Sequence, residues 1–90
     1  MRAHELKAWR SYFEALWDGR KPFELRRNDR EFRPGDRLVV REFDNSPSGG
    51  GYMGRHIEAE VSYVLVNCES FGLMEGYAIL GLKNIIRYSN

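Results

Sequence analysis

The chain has 90 residues, of which 42% are hydrophobic and 30% are charged, and its formal net charge is +1. This length supports one domain with a thin core, and the nearly balanced charge does not by itself argue for a nucleic-acid partner. No apolar run approaches the roughly 20 residues of a membrane span. The N-terminus lacks the apolar core of a signal peptide, and one cysteine, Cys68, excludes an internal disulfide. We therefore expect a single soluble, cytoplasmic domain over residues 1–90, without a membrane partner.

The N-terminal part predicts a short strand and an amphipathic helix. His4–Lys7 is compatible with a short strand. From Trp9 to Asp18, large apolar side chains recur at helical spacing, and Gly19 is a natural helix stop. The stripe consists of Trp9, Tyr12, Phe13, Leu16 and Trp17. This pattern predicts a helix whose aromatic face packs on the core.

After Gly19 the periodicity becomes that of strands. Four segments have strand character: Pro22–Arg26, Arg37–Phe43, Arg55–Val66 and Gly76–Lys83, the last extendable through 85–88. Residues 34–36, the Gly-rich stretch 44–51 and residues 67–75 predict turns or loops. A helix followed by strands without crossover helices predicts an α+β fold. Its sheet would be mixed or antiparallel and would close into a small β-barrel, with the amphipathic helix at one end.

Charge is concentrated between Arg20 and Arg41. This segment holds eight basic and four acidic residues, and seven of the eight bases are arginine. Arginine suits bidentate contacts with phosphate or carboxylate groups. The segment therefore predicts either a binding face or a network of intramolecular ion pairs on a solvated surface.

A specific motif lies within this charged segment. Gly19, Lys21 and Glu24 match the G-x-K-x-x-E signature of the ASCH superfamily, whose fold resembles the PUA domain. The wider pattern is similar to an ASCH-like family of unknown function found in bacteria and phages. Its matching parts are "HELK" at 4–7, the aromatic helix, "GRKPFELRRNDREFRPGD" at 19–36, "YMGR" at 52–55 and "GYAIL" at 76–80. The resemblance covers residues 4–82.

The resemblance implies a PUA-like β-barrel with its N-terminal helix beside a binding cleft. ASCH relatives are expected to bind RNA or modified nucleosides. One branch resembles a small amidohydrolase for acylated cytidine, and another is reported as a ribonuclease. Neither a cofactor nor a metal is implied for this chain. His4, His56 and Cys68 do not form a recognisable set of metal ligands.

Lys21 and Glu24 are the candidates for chemistry, because the resemblance places these positions at the cleft. A lysine acts as a nucleophile or base only if its pKa falls from about 10.4 toward neutrality. In an enzyme, Lys21 would be the nucleophile or base and Glu24 the proton shuttle. Ligand binding and a structural salt bridge are the alternatives. The amidohydrolase branch has a hydroxyl donor soon after the lysine, whereas Pro22 and Phe23 follow here.

Further ligand-binding candidates follow in the motif and in "YMGR". Strand alternation places Arg26 on the same face as Glu24 and Arg27 on the other. The planar guanidinium groups of the arginines in "RRNDR" and the amide of Asn28 suit contacts with phosphates and base edges. The pair Asn28-Asp29 also favours a turn. An aromatic beside an arginine suits stacking on an unpaired base. The complete set of candidates is His4, Lys21, Glu24, Arg26, Arg27, Asn28, Arg30, Tyr52 and Arg55.

Three functional hypotheses remain. The first is a domain that binds RNA or a nucleotide-like small molecule in a cleft lined by the Lys, Glu and Arg side chains. The second is a hydrolase that acts on a modified nucleoside or RNA through Lys21 and Glu24. The third is a phage-type protein-interaction regulator, which would leave the face of Trp9 and Trp17 partly exposed. A monomer is favoured, and ready solubility as a monomer would argue that those tryptophans are buried.

Overall fold

A computed structural model describes residues 2–89. Its elements in chain order are β1 (Ala3–Trp9), α1 (Arg10–Trp17), β2 (Phe23–Arg27), β3 (Arg37–Asp44), β4 (Gly51–Leu65) and β5 (Tyr77–Tyr88), with a short 3-10 helix at Glu69–Phe71. The chain is therefore mostly β, with one helix of eight residues. The helix and all the predicted strands are confirmed, with boundaries that differ by a few residues.

The five strands form one curled sheet in the order β1-β3-β4-β5-β2. β1 runs parallel to β3, and the remaining neighbours are antiparallel. The connection between the parallel strands contains α1 and β2, so the chain crosses from one edge of the sheet to the other and back. Since β1 and β2 are the two edges, curling brings β1 toward β2, which lies within the motif at residues 19–36.

The core lies on the inner face of the sheet, which is the face that α1 covers. Alternate residues of each strand point inward and are buried. Phe13 and Leu16 of α1 are fully buried against this face. Among the strands, the inner apolar residues are Leu6, Ala8, Leu38, Val40, Ile57, Ala59, Val61, Ala78, Leu80 and Leu82. Phe32, from the segment between β2 and β3, completes the core.

The predicted aromatic face of the helix is only partly buried. Trp17 packs against the core, but Trp9 and Tyr12 are 52% and 55% exposed. Trp9 is the last residue of β1, on the outer face, and it precedes the first helical residue, Arg10. The predicted aromatic face is therefore wider than the part of the helix that contacts the sheet. Tyr12 lies at the solvent-exposed edge of that contact, and Trp9 lies before the helix.

The "GYMGR" stretch is part of a strand, which starts four residues before the predicted start at Arg55. β4 begins at Gly51, and Tyr52 pairs with Phe43 of β3. Between the pairs Arg41–His56 and Phe43–Tyr52, β3 has one residue and β4 has three, which makes a β-bulge. Gly54, with φ of 105°, supplies the left-handed residue in this bulge.

Strand β2 has the reverse of the usual burial. Glu24 is buried at 3% exposure, whereas Phe23 and Leu25 are 41% and 54% exposed. Glu24 is in register with the buried Leu80 of β5, so it lies on the inner face of the sheet. The expected alternation is present, but the charged face is turned toward the interior and the apolar face toward solvent.

Candidate functional site

Lys21, Glu24 and Arg26 converge at the corner between α1 and β2. Gly19, with φ of 88°, ends the helix, and the Lys21 amide donates to the carbonyl of Ala15 at 3.0 Å. This turn brings the Lys21 Nζ to 2.5 Å from the Glu24 Oε1. The Arg26 Nε donates to the other carboxylate oxygen, Oε2, at 2.8 Å. The two cations therefore compensate a carboxylate that is almost fully buried.

Arg26 and Arg30 close the gap between the edge strands. The Arg26 Nη2 donates to the carbonyl of Lys7 at 2.6 Å, and the Arg30 Nη1 donates to the carbonyl of Glu5 at 2.9 Å. Both carbonyls belong to β1, which pairs with β3 on its other side. These two arginines therefore satisfy backbone acceptors that an edge strand leaves open.

Two aromatic rings flank the exposed side of Lys21. Its Nζ lies 5.9 Å from the centroid of the Tyr12 ring and 5.4 Å from that of Phe23. Tyr12 in turn stacks on Trp9, with centroids 6.2 Å apart. The three rings are partly exposed, so the charged trio is bordered by aromatic surface that solvent can reach.

A second aromatic group continues from Trp9 along the outer face. Trp9 is in register with Phe43, and Phe43 stacks on Tyr52 with centroids 5.3 Å apart. The Lys7 Nζ lies 4.3 Å from the centroid of Phe43. Tyr52 is 64% exposed. The term "aromatic track" denotes the two stacked pairs, Trp9–Tyr12 and Phe43–Tyr52, which the register of Trp9 with Phe43 places on neighbouring strands. Lys21 lies at one end of the track and Lys7 lies beside Phe43.

Two neighbouring cavities open beside Tyr52 and share Tyr52 and Glu5. One has a volume of about 290 Å³ and is lined by Glu5, Leu6, Lys7, Arg26, Arg30 and Tyr52. The other has a volume of about 340 Å³ and is lined by Glu5, Arg41, Glu42, Tyr52, Gly54 and Arg55. Arg26 thus connects the buried trio with the first cavity, while Lys21 and Glu24 line neither.

The structure places Arg55 in an ion-pair cluster beneath the helix. Its Nε and Nη2 donate to the two carboxylate oxygens of Glu42 at 2.9 and 3.0 Å, and Nη2 also donates to Glu14 at 2.8 Å. The guanidinium lies 4.7 Å from the Trp17 ring. Hydrogen bonds to Glu42 and Glu14 raise the pKa of Arg55, and the bond from Arg55 outweighs burial and lowers the pKa of Glu42. Its guanidinium is thus committed to carboxylates, which supports a positioning role beside the cavity.

His4 lies in a buried contact away from Lys21. Its Nε2 is 2.9 Å from the Asp36 Oδ2, and its ring meets Phe32 edge-on at 4.7 Å. Asp36 also accepts the backbone N–H groups of Arg2 and Arg33, at 3.2 and 3.1 Å. Burial would raise the pKa of Asp36, but these hydrogen bonds outweigh it and lower the pKa. This cluster fixes the turn before β3.

The two remaining candidates, Arg27 and Asn28, sit at the end of β2. Asn28 shapes the chain: its Oδ1 accepts the Phe32 N–H at 3.3 Å, and its own N–H donates to the Gly76 carbonyl at 2.8 Å. The Arg27 guanidinium lies 5.6 Å from the Tyr77 ring on the outer face. Arg27 and Asn28 therefore do not join Lys21, Glu24 and Arg26.

Sequence reasoning missed Lys7, Trp9, Tyr12 and Phe43 as parts of a surface. Alternation in "HELKAW" does place Lys7 and Trp9 on one face of β1. The parallel pairing of β1 with β3, which brings Phe43 beside Trp9, has no local sequence signal.

Within residues 2–89 no group of three or more His, Cys, Asp or Glu side chains is arranged to hold a metal ion. The single α-helix of the described chain is too short to cross a bilayer. Every buried side-chain nitrogen or oxygen in this part of the chain has a hydrogen-bond partner.

Comparison with known proteins gives a family. The family model described as a domain of unknown function, DUF3850, matches residues 3–82. The chain belongs to this family. It is also 34% identical over 61 residues to a protein of Escherichia phage P2 described as an uncharacterized 12.9 kDa protein in the GpA 3' region. That match covers 68% of this chain and 52% of the phage protein, so the chain spans about half the length of this curated relative.

Proposed function

We propose that this domain is a PUA-like, ASCH-type module that binds single-stranded RNA or a nucleotide-like ligand along the aromatic track. One observation carries the proposal: two stacked aromatic pairs, Trp9–Tyr12 and Phe43–Tyr52, lie beside two lysines and two open cavities. Bases that are not paired expose their faces, and aromatic side chains bind them by stacking. The motif at residues 19–36 supports the ASCH assignment, and the curled sheet with a helix at one end is compatible with a PUA-like barrel.

The charges beside the track support an anionic ligand. Within residues 2–89 Lys7 forms no ion pair with a carboxylate, and its ammonium group lies over the Phe43 ring. Arg26 and Arg30 line the same cavity as Lys7. A phosphate in this cavity would contact three basic side chains, and its binding would weaken as salt is added.

The buried trio fits a recognition role better than catalysis. A nucleophilic lysine needs a free amine, whereas Lys21 donates to Glu24 at 2.5 Å. A proton shuttle needs an accessible carboxylate, whereas both oxygens of Glu24 accept hydrogen bonds from cations. We infer that Glu24 orients Lys21 and Arg26, so that a base or phosphate on Tyr12 meets fixed donors. The hydrolase hypothesis has no supporting contact of its own.

The test is titration of an eight-nucleotide single-stranded RNA, with its duplex as the comparison. We expect binding of the single strand only, with an affinity that falls between 50 and 300 mM salt. Replacing Tyr12 or Tyr52 by alanine should each cost about 1 to 3 kcal/mol of binding free energy. Phe71→Ala is the matched control, because Phe71 is a 91% exposed aromatic away from the track.

Two results would overturn the proposal. Equal binding by the duplex, or equal losses in Phe71→Ala and Tyr12→Ala, would remove the stacking surface as its basis. The same samples should be assayed for cleavage of the RNA and of acylated nucleosides. Turnover that is lost in Lys21→Ala and kept in Phe71→Ala would establish the hydrolase instead.

A further inference from the structure

The outer face of β2, β5 and β4 carries a contiguous apolar patch on the side of the sheet opposite the core. Two rows of register-matched residues form it. Leu25, Ile79 and Leu65 lie side by side in one row, and Phe23, Gly81 and Tyr63 lie in the next. Leu25 and Tyr63 are 54% and 62% exposed. The term "outer patch" denotes Phe23, Leu25, Tyr63, Leu65, Tyr77 and Ile79.

The outer patch follows from the reversed burial of β2. Because Glu24 and Arg26 point to the inner face, alternation turns Phe23 and Leu25 outward. A strand with one face exposed to solvent normally has its polar residues on that exposed face. Contiguous exposed apolar surface on a folded protein marks an interaction site more often than it occurs by chance. Burial of Glu24 and Arg26 on the inner face thus explains why the outer face is apolar. An exposed apolar face of this kind is expected to bind a partner.

Charges of both signs lie at one end of the outer patch. Arg27 follows along β2, with its guanidinium over Tyr77. The N–H of Asn28 donates to the carbonyl of Gly76, which holds the loop containing Glu75 against the end of β2. Within residues 2–89, neither Arg27 nor Glu75 takes part in an ion pair, and both are exposed. An unpaired cation and the loop that carries an unpaired anion therefore lie at the same end of the apolar rows.

We propose that the outer patch is a twofold interface that binds a second copy of this chain. A twofold interface must be complementary to itself. With the twofold axis between Arg27 and Glu75, apolar rows meet apolar rows, and Arg27 of each copy meets Glu75 of the other. Unpaired charges of both signs at one end of the patch suit this self-complementary pairing, which a second copy supplies. The expectation of a monomer considered only the tryptophans of the helix region, whereas the exposed Phe23 and Leu25 lie on β2.

The first experiment measures molar mass by analytical ultracentrifugation from low micromolar to several hundred micromolar protein. The intact chain should show a concentration-dependent dimer, and Leu25→Asp should weaken dimerisation at least tenfold. Ile86→Asp is the matched control, because Ile86 is a 47% exposed apolar residue of β5 outside the outer patch. Circular dichroism confirms that both variants fold. A monomer throughout this range, or an equal effect of both substitutions, overturns the proposal.

The second experiment tests the pairing of charges. Arg27→Glu and Glu75→Arg should each weaken the dimer several-fold, and the double variant should restore most of the loss, because the reversed charges again meet across the twofold axis. Failure of the double variant to recover overturns the twofold arrangement. Neither Leu25 nor Arg27 belongs to the aromatic track, so loss of the dimer with intact RNA binding separates this proposal from the proposed function.

Discussion

At the scale of single residues, the carboxylates of this protein are held in two different ways. Glu24 and Glu42 are buried among guanidinium or ammonium groups, while Asp36 is buried among His4 and backbone N–H groups. Each arrangement compensates the loss of water around the charge. The consequences for stability differ, because the partners of Glu24 and Glu42 are basic side chains and two of the three partners of Asp36 are backbone N–H groups.

Asp36 should make stability depend on acid pH. The hydrogen bonds lower its folded-state pKa below the ordinary value near 3.8. A carboxyl with a depressed folded pKa contributes stability that is fully present above its unfolded pKa and is lost as pH falls through the folded pKa. The free energy of unfolding, measured by urea denaturation, should therefore decrease as pH falls below about 4.

Asp36→Asn should reduce this dependence to the part contributed by other carboxyls such as Glu42, whose pKa is also lowered. It should cost about 2 kcal/mol at neutral pH, since an amide cannot accept three donors with one oxygen. Asp29→Asn is the control, because Asp29 lies in the same segment with a side chain that is 60% exposed. If the two variants lose stability equally, or if Asp36→Asn keeps the acid dependence of the intact chain, Asp36 does not have this role.

Glu24→Gln should destabilise the chain by about 2 to 3 kcal/mol, because two partly buried cations lose their compensating charge. Lys21 and Arg26 retain some access to water, with side chains 17% and 23% exposed, which limits the loss. Glu5→Gln is the matched control, since Glu5 pairs with Arg41 while 63% exposed, and it should change stability by about 0.5 kcal/mol or less. Equal effects in urea denaturation would contradict the assignment of Glu24 as a buried anchor.

At the scale of elements, strand β1 is paired with a strand on one edge and is held by arginine side chains on the other. β3 pairs with one side of β1, and Arg26 and Arg30 reach the carbonyls of Lys7 and Glu5 on the other side. Such contacts cover an edge that would otherwise pair with another chain. They also make the segment before β3 part of the sheet, although it contributes no strand.

Arg30→Ala should therefore loosen β1 while leaving the central strands intact. We expect the backbone amides of β1 to exchange with solvent about 5- to 10-fold faster, and those of β4 and β5 to exchange unchanged, in hydrogen-exchange mass spectrometry. Arg20→Ala is the control, because Arg20 is 68% exposed and pairs only with Asp18. A uniform increase over all strands would indicate global destabilisation instead.

Local patterns predicted the elements well and their orientation poorly. The stripe of residues 9–17 and the alternation in Arg37–Phe43 and Arg55–Val66 reflect contacts within one element, and these elements are present. Alternation in β2 placed Glu24 and Arg26 together, but it did not tell which face points inward, because that depends on the partners of Glu24. The strand predicted from Arg55 begins at Gly51 instead, because glycines mark turns as often as bulges and hid its first residues.

The same distinction applies to the candidate site. The convergence of Lys21, Glu24 and Arg26 follows from a helix stop and strand alternation, which the sequence contains. Arg55 was expected to face a ligand, yet the bulge at Gly54 accompanies its pairing with the buried Glu42. His4 and Asp36 are 32 residues apart in sequence and meet through the parallel pairing of β1 with β3. Contacts of this range are fixed by topology.

At the scale of the whole molecule, α1 is attached to the sheet by polar contacts around its apolar contact. Phe13 and Leu16 provide the buried surface. Arg55 of β4 joins Glu14 of α1 to Glu42 of β3, and the Arg87 Nε of β5 donates to the carbonyl of Trp17 at 2.5 Å. The helix is thus connected to β3, β4 and β5, and it positions Tyr12 beside Lys21.

Removing Arg55 alone should destabilise the protein more than removing Arg55 and Glu42 together. Arg55→Leu leaves the Glu42 carboxylate, with a side chain that is 5% exposed, facing only Arg10 at 3.8 Å. An uncompensated buried charge costs about 3 to 5 kcal/mol, whereas replacing both members of a buried pair by apolar groups is often close to neutral. The double variant Arg55→Leu/Glu42→Leu should therefore be more stable than Arg55→Leu alone. Urea denaturation of the two single variants and the double variant gives the coupling energy. Additive losses would mean that Arg55 stabilises the helix through its contact with Trp17, at 4.7 Å, and that the carboxylate contributes little.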